Sequence, residues 1–206
     1  MTRSTKISSS LVPYVVSWSR EHPCSEDALA VDWDSGKPRL GYRTYLPGDR
    51  DRTGVLRVRM LGRPGVGEAE LARLHPWRQW DCMANLRCQV CRGAADRNED
   101  GFLFIGWPGE DDPPGWPEGA LTTQPPVCLK HAQLSRRLCP HAPHFVGLRS
   151  RVPRLWGVNG VAYTMTGHGW ECRGDVSLPF GHEGLDCVLA SHLVRQLKQV
   201  KVVPLP

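Results

Sequence analysis

At 206 residues the chain is long enough for one domain, one and a half at most, and for a core built without disulfide staples. With 40% hydrophobic and 23% charged residues it is not a wholly disordered chain, and no apolar run approaches the ~18 residues of a membrane-spanning helix. The net charge of +5 is unevenly spread: acids crowd into 96–118, whereas 119–154 contains none and carries Lys130, Arg136, Arg137, Arg149, Arg151 and Arg154.

In chain order, residues 1–10 are polar and Ser-rich and predict a disordered tail, leaving 11–206 as a single α+β domain. The apolar run at 11–19 contains Pro13 and leads into Arg20, Glu21 and His22 rather than a small-residue cleavage site. The expectation is therefore no signal peptide and a cytoplasmic protein, in which clustered cysteines more often mean metal than disulfide. Runs at 11–18, 28–33 and 39–46 are strand-like in their Val, Tyr and Trp content. Residues 55–61 alternate with period two, predicting a half-exposed strand with Arg57 and Arg59 turned outward.

A short helical piece is expected at 68–74, interrupted by His75-Pro76, with Pro76 opening a new helix to about Leu86. A strand follows at 102–107, then an acidic Pro/Gly loop at 108–117. Pro125-Pro126 opens a helix that runs to about Leu138, where Pro140 stops it, and short strands are expected at 145–151, 158–164 and 176–178. Leu185, Val188, Leu189, Leu193, Leu197 and Val200 fall on a helical stripe, predicting a C-terminal amphipathic helix. The fold class is thus α+β: a short-stranded mixed or antiparallel sheet, a treble-clef-like zinc site within about 86–140, and that C-terminal helix.

The strongest chemical signal is Cys88-Gln-Val-Cys91-Arg-Gly93 followed by Pro125-Pro126-Val127-Cys128-Leu-Lys-His131. A C-x-x-C closed by glycine bends so that both sulfurs point at one ion. A cysteine and a histidine three apart in a first helical turn share a face beside the favourable end of the dipole. Cys88, Cys91, Cys128 and His131 would make a closed tetrahedral zinc set; the competing reading is four buried or reactive thiol and imidazole groups with no metal. Cys139 and His141, in Cys139-Pro-His141-Ala-Pro-His144, are substitute ligands, and a Cys-Pro thiolate can also bind haem iron. His168, Cys172, His182 and Cys187 form a second candidate cluster in which Glu171 or Glu183 would serve as base beside a metal-bound water. Nucleotide-binding glycine loops and the G-x-S-x-G and H-E-x-x-H signatures are missing, and no histidine stands between Cys91 and Cys128 for a His-Asn-His nuclease site.

At 88–97 (CQVCRGAADR), 115–119 (GWPEG), 125–141 (PPVCLKHAQLSRRLCPH) and 42–59 the chain resembles a family of small zinc-finger-like proteins from high-GC filamentous actinobacteria. In that family a cysteine usually stands at the position of His131. The resemblance implies a zinc-finger-like core in an actinobacterial cytoplasm and no particular activity. Two roles follow from the residues. One is a structural-zinc module that presents Arg136, Arg137, Arg149, Arg151 and Arg154 to nucleic acid or an acidic protein. The other is a small metalloenzyme of specialised metabolism that uses zinc or haem near His168, Cys172 and His182.

Overall fold

A computed structural model describes residues 12–109, 112 and 114–205; the expected tail at 1–10 lies outside them. The chain opens with β1 (Val16–Trp18) and β2 (His22–Pro23), then the hairpin of β3 (Leu29–Asp34) and β4 (Lys37–Tyr42). Two very short strands, β5 (Leu56–Arg57) and β6 (Met60–Leu61), precede β7 (Ala69–Leu74), which pairs antiparallel with β1. Helix α1 (Pro76–Ala84) leads to β8 (Arg97–Asn98), β9 (Gly101–Gly106) and β10 (Leu121–Thr122), and α2 (Leu129–Leu138) follows. Three long strands end the chain: β11 (Val146–Thr166), β12 (Gly169–Pro179) and β13 (Val188–Val203).

The mixed α+β class matches expectation, and strand dominates. β11 is the spine: β13 lies antiparallel along one side, while β9 pairs with its first part (146–150) and β12 with its last (157–166). Between those partners only β13 flanks it, and there Pro153, which has no N–H to donate, sits in the strand. β13 is in turn edged by β10 and, in parallel, by β5. The three short strands expected at 145–151, 158–164 and 176–178 are therefore parts of two long ones.

The expected C-terminal helix is instead β13. Its register against β11 jumps from Asn159↔His192 to Gly160↔Ala190, so Ser191 is an extra, bulged residue. Val188, Ala190 and Leu193 consequently face one cluster with Val158, Trp80 and Met83, at spacings of two and then three that imitate helical periodicity. Partners on both edges further bury the strand and blur its alternation. The short helix expected at 68–74 is β7. A single turn or two there has little to offset the nucleation cost, whereas β1 supplies ladder partners. The outward arginines are also corrected. Arg57 stacks on Trp77 and Trp80, with its guanidinium carbon 4.2 Å and 5.1 Å from the ring centroids. Arg59 lies over Tyr42 and pairs with buried Asp49.

Helix α1 is fastened to the sheet by polar side chains. Gln79, fully buried, donates to the carbonyls of Leu193 and Thr123 and accepts from the Leu193 N–H. Arg195 donates to the carbonyls of Met83, Ala84 and Pro153, so a buried cation sits at the negative end of the helix. Burial lowers its pKa to about 10, and it stays protonated at neutral pH.

Candidate metal centre

The bend that carries the first two cysteines follows directly from α1. Leu86 (φ 50°) turns the chain, and an Arg87↔Ala94 bridge closes a loop around 88–93. Inside it the Cys88 N–H donates to Gly93 O and the Arg92 N–H to Cys88 O, each at 2.8 Å. Arg92 takes the left-handed φ of 62°, which turns the chain into Gly93. Hydrogen bonds from Tyr14 N–H to Val90 O and from Val15 N–H to Gln89 O clamp the bend from outside.

The second pair arrives by way of the β8–β9 hairpin. The N–H groups of Gln89 and Asp96 donate to the carbonyls of Pro126 and Val127, and the Val127 N–H donates to Leu103 O, so 126–127 lie between bend and hairpin. Cys128 is then the N-cap of α2, its side chain making no capping bond, and His131 follows within the first turn. Order along the chain is bend, hairpin, helix. Leu103, Val127, Ala132 and Leu205 pack around Cys88, which is fully buried.

The result is one compact donor group. The ligand atoms of Cys88, Cys91, Cys128 and His131 all lie within 4.8 Å of one another. Nδ1 of His131 faces two of the sulfurs, 3.0 Å from Cys128 and 3.8 Å from Cys88. A tetrahedral ion bound at about 2.3 Å to sulfur and 2.05 Å to nitrogen sets edges of roughly 3.6–3.8 Å. The cluster brackets those values and needs only small side-chain rotations to meet them. Burial, with Lys130 adding to it, lowers the His131 pKa and favours the neutral imidazole that a metal requires. Three soft sulfurs and one nitrogen suit a thiophilic divalent ion. All four corners come from protein, so no coordination position is left for substrate. Cys82, close by, is different: burial pushes its thiol up to about 12, and its Sγ contacts Cys88 O at 3.6 Å.

The alternative ligands do not assemble. Cys139 is the C-cap at the far end of α2, while His141 and His144 flank the exposed ring of Trp107. His168 is exposed beyond the end of β11, Cys172 is exposed on β12, His182 caps the turn at Glu183–Cys187, and Cys187 ends that turn. Among the described residues the Cys88 group is the only set of three or more such side chains close enough to share an ion.

The predicted basic residues also divide. Arg149 is buried, donating to Gly101 O and pairing with Asp96 at 2.5 Å, so it holds the hairpin to β11 and is not available to a partner. Arg151 is exposed beside Asp100, Arg136 reaches Leu205 O, and Arg137 and Arg154 are exposed. Sequence reasoning missed Tyr14 and Asp81, which brace the bend through Arg92 by ring stacking and a 2.7 Å hydrogen bond. Nothing in their local sequence marks them.

Fold and centre together define an α+β protein built around a Cys3His group suited to a metal ion. No protein-family model matches this chain, and no curated protein and no solved structure is significantly similar to it. No helix among the described residues is long and apolar enough to cross a membrane.

Proposed function

We propose that Cys88, Cys91, Cys128 and His131 hold a zinc ion in a treble-clef-like structural site, and that the protein is a cytoplasmic binding module for nucleic acid or an acidic protein. The observation that carries this is the convergence of four donor atoms within 4.8 Å from two elements far apart in sequence. Zinc would supply cross-linking of bend and helix rather than chemistry, because the donor set is closed. The resemblance to small zinc-finger-like actinobacterial proteins, in which a cysteine usually stands at the position of His131, supports the same four positions.

The exposed basic residues open to such a partner are Lys130, Arg136 and Arg137 on α2 and Arg151 and Arg154 on β11. Metal analysis of the purified chain tests the first half: one zinc per chain is expected, lost in Cys88→Ser and Cys128→Ser together with solubility. A folded, metal-free wild-type protein would refute it. For the second half, Arg136→Ala/Arg137→Ala should weaken binding to duplex or single-stranded nucleic acid at low salt and flatten its salt dependence. An acidic partner protein is the alternative if wild type binds no nucleic acid at low salt.

A further inference from the structure

We propose that Ser191 and His192 form a nucleophile–base pair in a site for hydrolysing a small uncharged or cationic ester, a site that shares no residue with the metal centre. Ser191 is the extra residue of the β13 bulge. In a regular strand, consecutive side chains point to opposite faces; the bulge brings this hydroxyl and the neighbouring imidazole into one shallow, open surface depression, which Asn159, Asp175 and Ser177 also line. The Ser191 Oγ lies 2.9 Å from His192 Nδ1. The bulge is held rigidly: Trp80 Nε1 donates to Ser191 O, and opposite it Gly160 permits a backbone approach at which a Cβ would lie 2.4 Å from Leu189 O.

Hydrogen-bond logic then assigns the protons. His192 Nε2 lies 3.3 Å from the carbonyl of Leu74, which can only accept, so Nε2 carries the hydrogen. Nδ1 is left with a lone pair, and the Ser191 hydroxyl hydrogen is shared between that nitrogen at 2.9 Å and the Asn159 carbonyl at 3.2 Å. The opposite tautomer would turn the Nε2 lone pair against the Leu74 oxygen. A base oriented by a third group and bonded to a hydroxyl is the arrangement that activates serine. Burial lowers the His192 pKa, which keeps the ring neutral and able to take a proton at pH 7.

Asn159 supplies the remaining part. Its Oδ1 accepts from Ser177 Oγ at 2.7 Å, which orients the amide and leaves the Nδ2 hydrogens free to donate. Asn159 stands directly across from His192 in the β11–β13 register and from Ser177 in the β11–β12 register. In the proposed reaction Ser191 Oγ bonds to the ester carbonyl carbon while its proton passes to His192 Nδ1. The oxyanion so formed accepts from Asn159 Nδ2. The bond to the alcohol oxygen then breaks and that oxygen takes the proton from Nδ1, leaving an acyl-serine. Water then bonds through its oxygen to the acyl carbon while giving a proton to His192 Nδ1; the bond from that carbon to Ser191 Oγ breaks, Oγ takes the proton from Nδ1, and the acid leaves. Asp175, exposed on the wall of the depression, disfavours anionic substrates.

The test is labelling of the full chain with a small alkyl fluorophosphonate, with the adduct mapped by mass spectrometry. One adduct on Ser191 is expected, absent after heat unfolding and in Ser191→Ala. His192→Gln should slow labelling about 10²-fold or more, and Asn159→Ala should slow p-nitrophenyl acetate hydrolysis about 10²-fold. In wild type the labelling rate should rise with pH through a group titrating below 6.5, and that step should vanish in His192→Gln. Melting curves confirm that each variant is folded; if His192→Gln does not fold, the wild-type pH profile decides. An unlabelled Ser191 in folded wild type, a labelling rate in folded His192→Gln equal to wild type, or a flat wild-type pH profile overturns the proposal.

Discussion

The ion pair beneath α1 gives a quantitative test of how the fold is held. Glu21 is 2% exposed and Arg78 is 8% exposed. Two guanidinium nitrogens of Arg78 donate to the two Glu21 oxygens at 2.7 Å and 2.6 Å; one of them also reaches Val16 O, and the Trp18 N–H donates to the same carboxylate. Burial would raise the Glu21 pKa, but the Arg78 fork and the Trp18 N–H outweigh it and hold the pKa below the usual value. Arg78→Met therefore strands a buried carboxylate, a change that costs about 3–5 kcal/mol. Each kcal/mol shifts the melting point of a chain this size by ~2–4 °C, so a fall of about 10 °C is expected. Urea unfolding at pH 7 and pH 4 measures it. In wild type the stabilisation from Glu21 is present above pH 4.5 and is lost as pH falls through its lowered folded value. In the variant the stranded carboxylate titrates higher, so the deficit against wild type must shrink at pH 4. The double variant Glu21→Leu/Arg78→Met, which removes both charges, should recover most of the loss. A single-variant deficit under about 1 kcal/mol, or one that grows on acidification, would refute the reasoning.

Other outcomes follow from neighbouring groups. His75 caps α1 by accepting from the Arg78 N–H, and burial lowers its pKa to about 4 from 6.5. The unfolded chain thus binds a proton more readily, and stability should fall by about 3 kcal/mol as pH drops from 6.5 to 4. His75→Asn keeps a capping oxygen and should flatten that decline in urea titrations, since Asn caps well without titrating. Gly160→Ala places a Cβ against Leu189 O and should destabilise by more than about 1 kcal/mol, with loss of any Ser191 labelling, in thermal melts and probe assays. On the proposed zinc site, a chelator should lower hydrogen-exchange protection in 88–94 and 128–138, which the ion would cross-link, while β11 and β13 stay protected.

The two halves of the Cys3His group were legible in the sequence because their determinants are local. A C-x-x-C bend with Gly93, and a cysteine and histidine in one helical turn, specify geometry within a few residues. Pro76 likewise announced α1 as its first residue, since proline acts on its own backbone, whereas Pro125-Pro126 lie ahead of α2, which begins at Leu129 after the N-cap Cys128. The terminal strands were not legible. β13 looks helical because the Ser191 bulge moves the apolar face by one residue and because β5, β10 and β11 bury it from both edges. Arg57, Arg59 and Arg149 looked like surface charge because sequence cannot show Trp77, Asp49 or Asp96 arriving beside them. Composition and short-range spacing determined where a thiophilic ion would sit. Which cationic side chains were enclosed, and whether Ser191 met an imidazole or solvent, only tertiary structure decided, because those outcomes come from pairings between residues distant along the chain.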